Sequence, residues 1–80
     1  MNVNVETEDV NLITVKMLPY DFKVVYTFIK KNKTVEFNVL LDKFKHFSVK
    51  AICDDLRLMQ LVYYTNDLGE VIDNDLRDEG

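Results

Sequence analysis

The chain predicts a small α+β domain, and three observations predict it. Residues 37–56 read as two short helices joined by a tight turn. A strand-turn-strand signal over residues 61–74 follows directly, and β-branched residues crowd the first 17 positions. At 80 residues there is room for one domain with little left for linkers.

The elements follow in order. Residues 2–6 alternate Asn-Val-Asn-Val-Glu, and residues 10–17 place Ile13, Val15 and Met17 on one face. Both segments predict strand, or a hairpin turning at residues 7–9, although Val3 and Val5 equally suit a frayed N-terminal arm. Pro19 and Asp21 then mark a helix start: Pro is tolerated in a first turn, and an acid complements the positive end of the helix dipole. Phe22, Val25, Tyr26 and Ile29 fall at i, i+3, i+4 and i+7, and Lys30, Lys31 and Lys33 close the segment with cations. A competing reading makes residues 22–29 a strand, because they are rich in strand formers, with the lysines as a hairpin loop leading into residues 34–39. The helix is preferred because Thr34-Val35-Glu36 then forms one short strand before the helix pair.

In the second helix, residues 37–44, Phe37, Leu40, Leu41 and Phe44 are expected to face inward. His46-Phe47 is the turn, and Ser48 is a good N-cap for the third helix because its hydroxyl can accept from free backbone N–H groups. Val49, Ile52, Leu56 and Met59 form the expected inward face there, leaving Lys50, Asp54 and Arg57 outside. Strands over residues 61–65 and 70–74 flank a turn in which Gly69 can take a positive φ.

Composition narrows the classes. Hydrophobic residues at 48% exclude a disordered chain, and 30% charged residues suit a solvated surface. The lone Cys53 cannot form an internal disulfide and points to a reducing compartment. No apolar run approaches the ~20 residues of a membrane span, and the N-terminus does not read as a signal peptide, so a cytoplasmic location without membrane contact is expected. The net charge of −4 hides an asymmetry. Residues 22–57 carry eight bases against four acids (+4), whereas residues 1–21 sum to −3 and residues 58–80 to −5.

The chain resembles the winged helix-turn-helix superfamily of small transcription regulators found in bacteria, archaea and their viruses. The resemblance covers residues 18–74. It is carried by Leu18-Pro-Tyr-Asp-Phe-Lys-Val-Val25, similar to the first-helix start, by Ser48-Val-Lys-Ala-Ile-Cys-Asp-Asp-Leu56, similar to the recognition helix, and by Leu61-Val-Tyr-Tyr64, similar to the first wing strand. It implies three helices plus a β-hairpin wing over residues 18–76, with an N-terminal strand or arm (residues 1–17) and an acidic tail (residues 77–80). Two departures bear on function. Gln60 stands where the family often has Gly before the wing strand, so the third helix must end by another route. Asp54 and Asp55 lie in the recognition helix, and Asp67 and Glu70 in the wing, where carboxylates repel phosphates.

The resemblance implies a transcriptional regulator that binds double-stranded DNA, a homodimer meeting through the N-terminal strand or first helix, with the third helix in the major groove. Ser48, Lys50 and Arg57 are then the reading residues, and Lys30, Lys31, Lys33 and His46 are phosphate contacts. The alternative is a winged-helix protein-interaction module, an accessory subunit of a transcription or replication assembly. It would engage a basic protein partner through Asp67, Glu70 and an exposed wing tyrosine, Tyr64. A third reading follows from the strand version of residues 22–39: a small acidic α+β inhibitor imitating nucleic acid. No cofactor, metal site or enzymatic activity is expected, because the single His46 has no ligand partner at metal spacing and there is no glycine-rich loop or triad.

Overall fold

The computed structural model describes residues 1–6 and 12–73. In chain order these form β1 (Asn2–Val5), α1 (Leu12–Lys16), α2 (Tyr20–Asn32), β2 (Thr34–Glu36), α3 (Phe37–Lys43), α4 (Val49–Leu58), β3 (Val62–Thr65) and β4 (Val71–Ile72). The described residues thus make an α+β domain of four helices and one antiparallel four-stranded sheet, ordered β2-β1-β3-β4.

The helix over α2 forms, and the strand alternative for residues 22–39 does not. The Pro19 carbonyl accepts the first helical hydrogen bond, from Lys23 N–H at 2.9 Å, and the expected Val25, Tyr26 and Ile29 are buried. Thirteen residues with one apolar stripe gain more by packing that stripe on a sheet than β propensity alone returns. The premise of the nucleic-acid-imitating inhibitor goes with the strand version.

Residues 2–5 form the expected strand and not the frayed arm, and β1 lies at the centre of the sheet. Asn2, Val3 and Asn4 pair with Glu36, Val35 and Thr34 on one side, and residues 2–5 pair with Thr65 to Val62 on the other. Val3 and Val5 enter the core. On the opposite face Asn4 links three strands: its Nδ2 donates to Thr65 Oγ1 at 3.0 Å and to the Tyr63 carbonyl at 3.2 Å, while Thr34 Oγ1 donates to Asn4 Oδ1 at 2.8 Å. Both edges of β1 are therefore occupied, and it offers no edge to a second copy. Residues 12–16, expected as strand, are the helix α1. Val15 reaches the core from its single turn, and Met17, expected to share an inward face with it, is 79% exposed. A short β-branched run carries only a weak preference, and β1 has no free edge to offer it. The suggested turn at residues 7–9 lies outside the described residues, as does the acidic tail.

Two inward-face assignments are corrected. Leu41 and Met59 are each 37% exposed. The α4 seam runs Val49, Ile52, Cys53, Leu56, one stripe at i, i+3, i+4, i+7, and the helix ends at Leu58 before Met59 can return to it. The unexpected terminator is Gln60, at φ 63. Leu61 N–H bonds to the Leu56 carbonyl and Gln60 N–H to that of Arg57. This is the Schellman arrangement, with Gln where Gly is usual, sealed by the burial of both Leu56 and Leu61.

Candidate functional site

The connection between α3 and α4 is built on aromatic packing. Phe28 of α2 meets Phe44 edge to face at 5.7 Å, and Phe44 stacks on Phe47 at 5.8 Å with ring planes 6° apart. Phe44 N–H bonds to the Leu40 carbonyl and Phe47 N–H to that of Phe44, so the turn is tight. Such ring pairs fix the path of the turn by more than their buried area alone. Around this base the polar side chains point outward. Lys43, Lys45, His46, Ser48 and Lys50 are all exposed. The Lys43 ammonium lies 4.9 Å from the Phe28 ring centroid, and Lys45 approaches Asp42 at 3.5 Å with both side chains largely in solvent. A pair so exposed is screened and holds neither charge firmly. The connection walls a recess of about 120 Å³, lined by Lys43, Phe44, Lys45, His46 and Phe47.

Ser48 occupies the N-cap position expected of it, but its hydroxyl makes no capping bond. At φ −79, ψ 72 its backbone lies outside the extended geometry that aims a side chain at the first-turn N–H groups. Its hydroxyl is exposed at the start of α4, beside Lys50.

The far half of α4 is arranged otherwise, and two expectations are corrected there. Asp54, expected outside, is 0% exposed, and its Oδ1 accepts a 2.8 Å hydrogen bond from the Tyr64 hydroxyl. Tyr64, expected as the exposed partner-binding ring, is 0% exposed; Tyr63, beside it on the strand, carries the exposed ring. Arg57 is half-buried, with its guanidinium 5.5 Å from the Tyr64 ring centroid. The cause is β3: a strand packed beside α4 turns alternate side chains into it, and Tyr64 brings a hydroxyl that needs an acceptor. Burial, and then the bond to Asp54, raise the Tyr64 pKa well above the ordinary tyrosine value. Burial, with the Asp54 charge adding to it, pushes the Cys53 thiol up to about 12, which keeps it protonated and poorly nucleophilic near neutrality.

Sequence reasoning missed this Asp54–Tyr64 link and the Asn4 clamp. The available signal for the first was Asp54 lying within the apolar run Ile52, Cys53, Leu56, together with the alternation that sends one of Tyr63 and Tyr64 inward.

The hairpin is held by Asn66, whose Oδ1 accepts from the N–H groups of both Leu68 and Glu70 at 2.9 Å, and Gly69 takes φ 82. At its tip Asp67 and Glu70 are exposed, as expected, together with Leu68 (83%) and Val71 (64%). The Asp67 carboxylate lies 3.7 Å from the N-terminal ammonium. Lys30, Lys31 and Lys33 are exposed at the end of α2, away from this tip in sequence and charge.

These features define a class, a small α+β domain with a cationic helix-helix connection and an acidic hairpin. No family model matches the chain, and neither a curated protein nor a solved structure matches it. Among the described residues, no helix is long and apolar enough to cross a membrane.

Proposed function

We propose that this chain is a winged helix-turn-helix DNA-binding protein, a transcriptional regulator in which the α3–α4 connection and the start of α4 meet duplex DNA. The order α2, β2, α3, α4, β3, β4 supports the winged-helix reading. The observation that carries the function is the run of exposed polar and cationic side chains Lys43, Lys45, His46, Ser48 and Lys50, with Asp54 withdrawn into the core. Burial of Asp54 takes one carboxylate off the reading face, while Asp55 is half-buried on the same helix and Asp67 and Glu70 stay exposed on the hairpin.

Lysines along a turn suit phosphates, and residues at the first turn of a groove-entering helix suit base edges. Lys43 and Lys45 then hold backbone phosphate, while Ser48 and Lys50 reach toward the bases. Arg57 anchors the helix to Tyr64 instead of reading DNA. The acidic hairpin stays outside the groove, so affinity rests on few phosphate contacts and is modest.

Fluorescence anisotropy with a mixed-sequence duplex over a salt series tests this reading. Each phosphate contact contributes a slope of about −0.9 in log K against log salt. Lys45→Ala should therefore reduce the slope by roughly 1, and Lys50→Glu should abolish retention. Asp67→Ala should leave both intact or strengthen binding. Salt-insensitive or absent retention on every duplex overturns the reading.

A second reading, a winged-helix interaction module for a basic protein, is favoured by the exposed Leu68 and Val71 set among Asp67 and Glu70. It requires that Asp67→Lys with Glu70→Lys abolishes capture of that partner, while Lys50→Glu has no effect.

A further inference from the structure

The outer face of α2 carries a feature that DNA contact by the α3–α4 connection leaves unused. An open cleft of about 550 Å³ is lined by Leu18, Tyr20, Lys23, Val24 and Thr27. It adjoins a second recess of about 450 Å³ lined by Tyr20, Asp21 and Phe47. Tyr20 is 71% exposed between them, and Met17, just before Leu18, is 79% exposed. Large apolar side chains left in water beside a concavity are a mark of an interaction site, whereas single scattered ones are not.

Charge says what kind of occupant fits. Tyr20, Lys23, Thr27 and Lys30 recur at i, i+3, i+7 and i+10, so they share one helix face, and Lys31 lies beside Lys30. The three lysines are exposed and make no ion pair among the described residues. The nearby carboxylate, Asp21, accepts from the Phe22 N–H at 3.0 Å. An isologous second copy would set this lysine row against itself, because a two-fold interface opposes the same patch on both subunits. The apolar lining in turn suits side chains better than phosphates.

We infer that the outer face of α2 docks an acidic amphipathic helix of a partner protein. Its apolar residues fill the cleft beside Tyr20 and Val24, and its carboxylates lie along Lys23, Lys30 and Lys31. Helix-in-groove recognition divides its anchors and its charges in this way.

The test is an NMR titration of the ¹⁵N-labelled chain with a synthetic helical peptide bearing leucines at i, i+3, i+4 and i+7 and glutamates elsewhere. A control peptide has lysines in place of the glutamates. The expected result is saturable shifts at Leu18, Tyr20, Lys23, Val24 and Thr27 with the acidic peptide alone. Tyr20→Ala and Lys23→Glu should each weaken binding at least tenfold; both positions are exposed, so the fold should persist, and the unchanged remainder of the spectrum verifies it. Several results overturn the inference: equal response to the basic peptide, shifts confined to other surfaces, or no response at millimolar peptide. So do concentration-dependent shifts of the same residues without peptide, which assign the face to a second copy, and duplex DNA shifting these residues in place of the α3–α4 connection.

Discussion

The two halves of α4 carry similar residues and use them differently. At its start, Ser48 and Lys50 stand in solvent at the end of an aromatic-backed, cationic turn. One to two turns later Asp54 is fully buried against Tyr64, and Arg57 lies across the same ring. The difference is what packs alongside: beyond the first turn, β3 runs beside the helix and takes in whatever side chains face it. The lesson is that a charged side chain on a candidate reading helix becomes available for contact, or part of the architecture, according to its neighbour across the interface.

Breaking the locked half should produce the largest effect. Asp54→Ala strands the Tyr64 hydroxyl in the core without its acceptor, and removing a charged hydrogen-bond partner costs about 3 kcal/mol. Urea unfolding should show a large drop in the midpoint at unchanged slope, whereas Lys50→Ala should leave the midpoint where it was. Equal effects of the two substitutions would erase the contrast between the halves.

A pH titration sharpens it. Cys53 has a folded pKa raised from 9.0 to about 12, and that of Tyr64 is raised above 10.0. For a group held neutral by burial, the contribution to stability is complete below the unfolded pKa and is lost as pH rises toward the folded one. Stability should therefore be insensitive to these groups below pH 9. Between pH 9 and 12 Cys53 alone should remove about 1.4 kcal/mol per pH unit. Cys53→Ala should flatten that decline; an unchanged alkaline slope in the variant would place the cause elsewhere.

The helix end offers a smaller test. Gln60 at φ 63 holds a left-handed position without being glycine. Gln60→Gly should stabilise by up to about 1 kcal/mol, because removal of Cβ relieves the strain at a C-terminal cap. A loss of stability there would mean that the Gln60 side chain contributes contacts outweighing the strain.

The smallest effect is expected at Tyr26, whose buried hydroxyl has no hydrogen-bond partner among the described residues. Tyr26→Phe removes an uncompensated polar group at constant shape and should be neutral or slightly stabilising. A clear destabilisation in calorimetry would reveal a partner for that hydroxyl.

The sequence by itself determined the elements whose signals are local. The spacing of Phe22, Val25, Tyr26 and Ile29 specified α2, the short β2 and helix α3 began where expected, and Gly69 marked the hairpin turn, because periodicity and turn chemistry depend on near neighbours. Tertiary structure decided the rest. It placed β1 at the centre of the sheet, since strand order depends on partners such as Thr34 and Thr65, 30 and 61 residues from Asn4. It made residues 12–16 helical against a β-rich composition. For the candidate site, the exposed His46, Ser48 and Lys50 were legible because a polar turn between two apolar stripes has nowhere else to point, whereas Lys43 and Lys45 entered only as part of the basic stretch of residues 22–57. The fates of Asp54, Arg57 and Tyr64 were not legible, because burial of a charged side chain is settled by the one hydroxyl or ring that the fold brings opposite it.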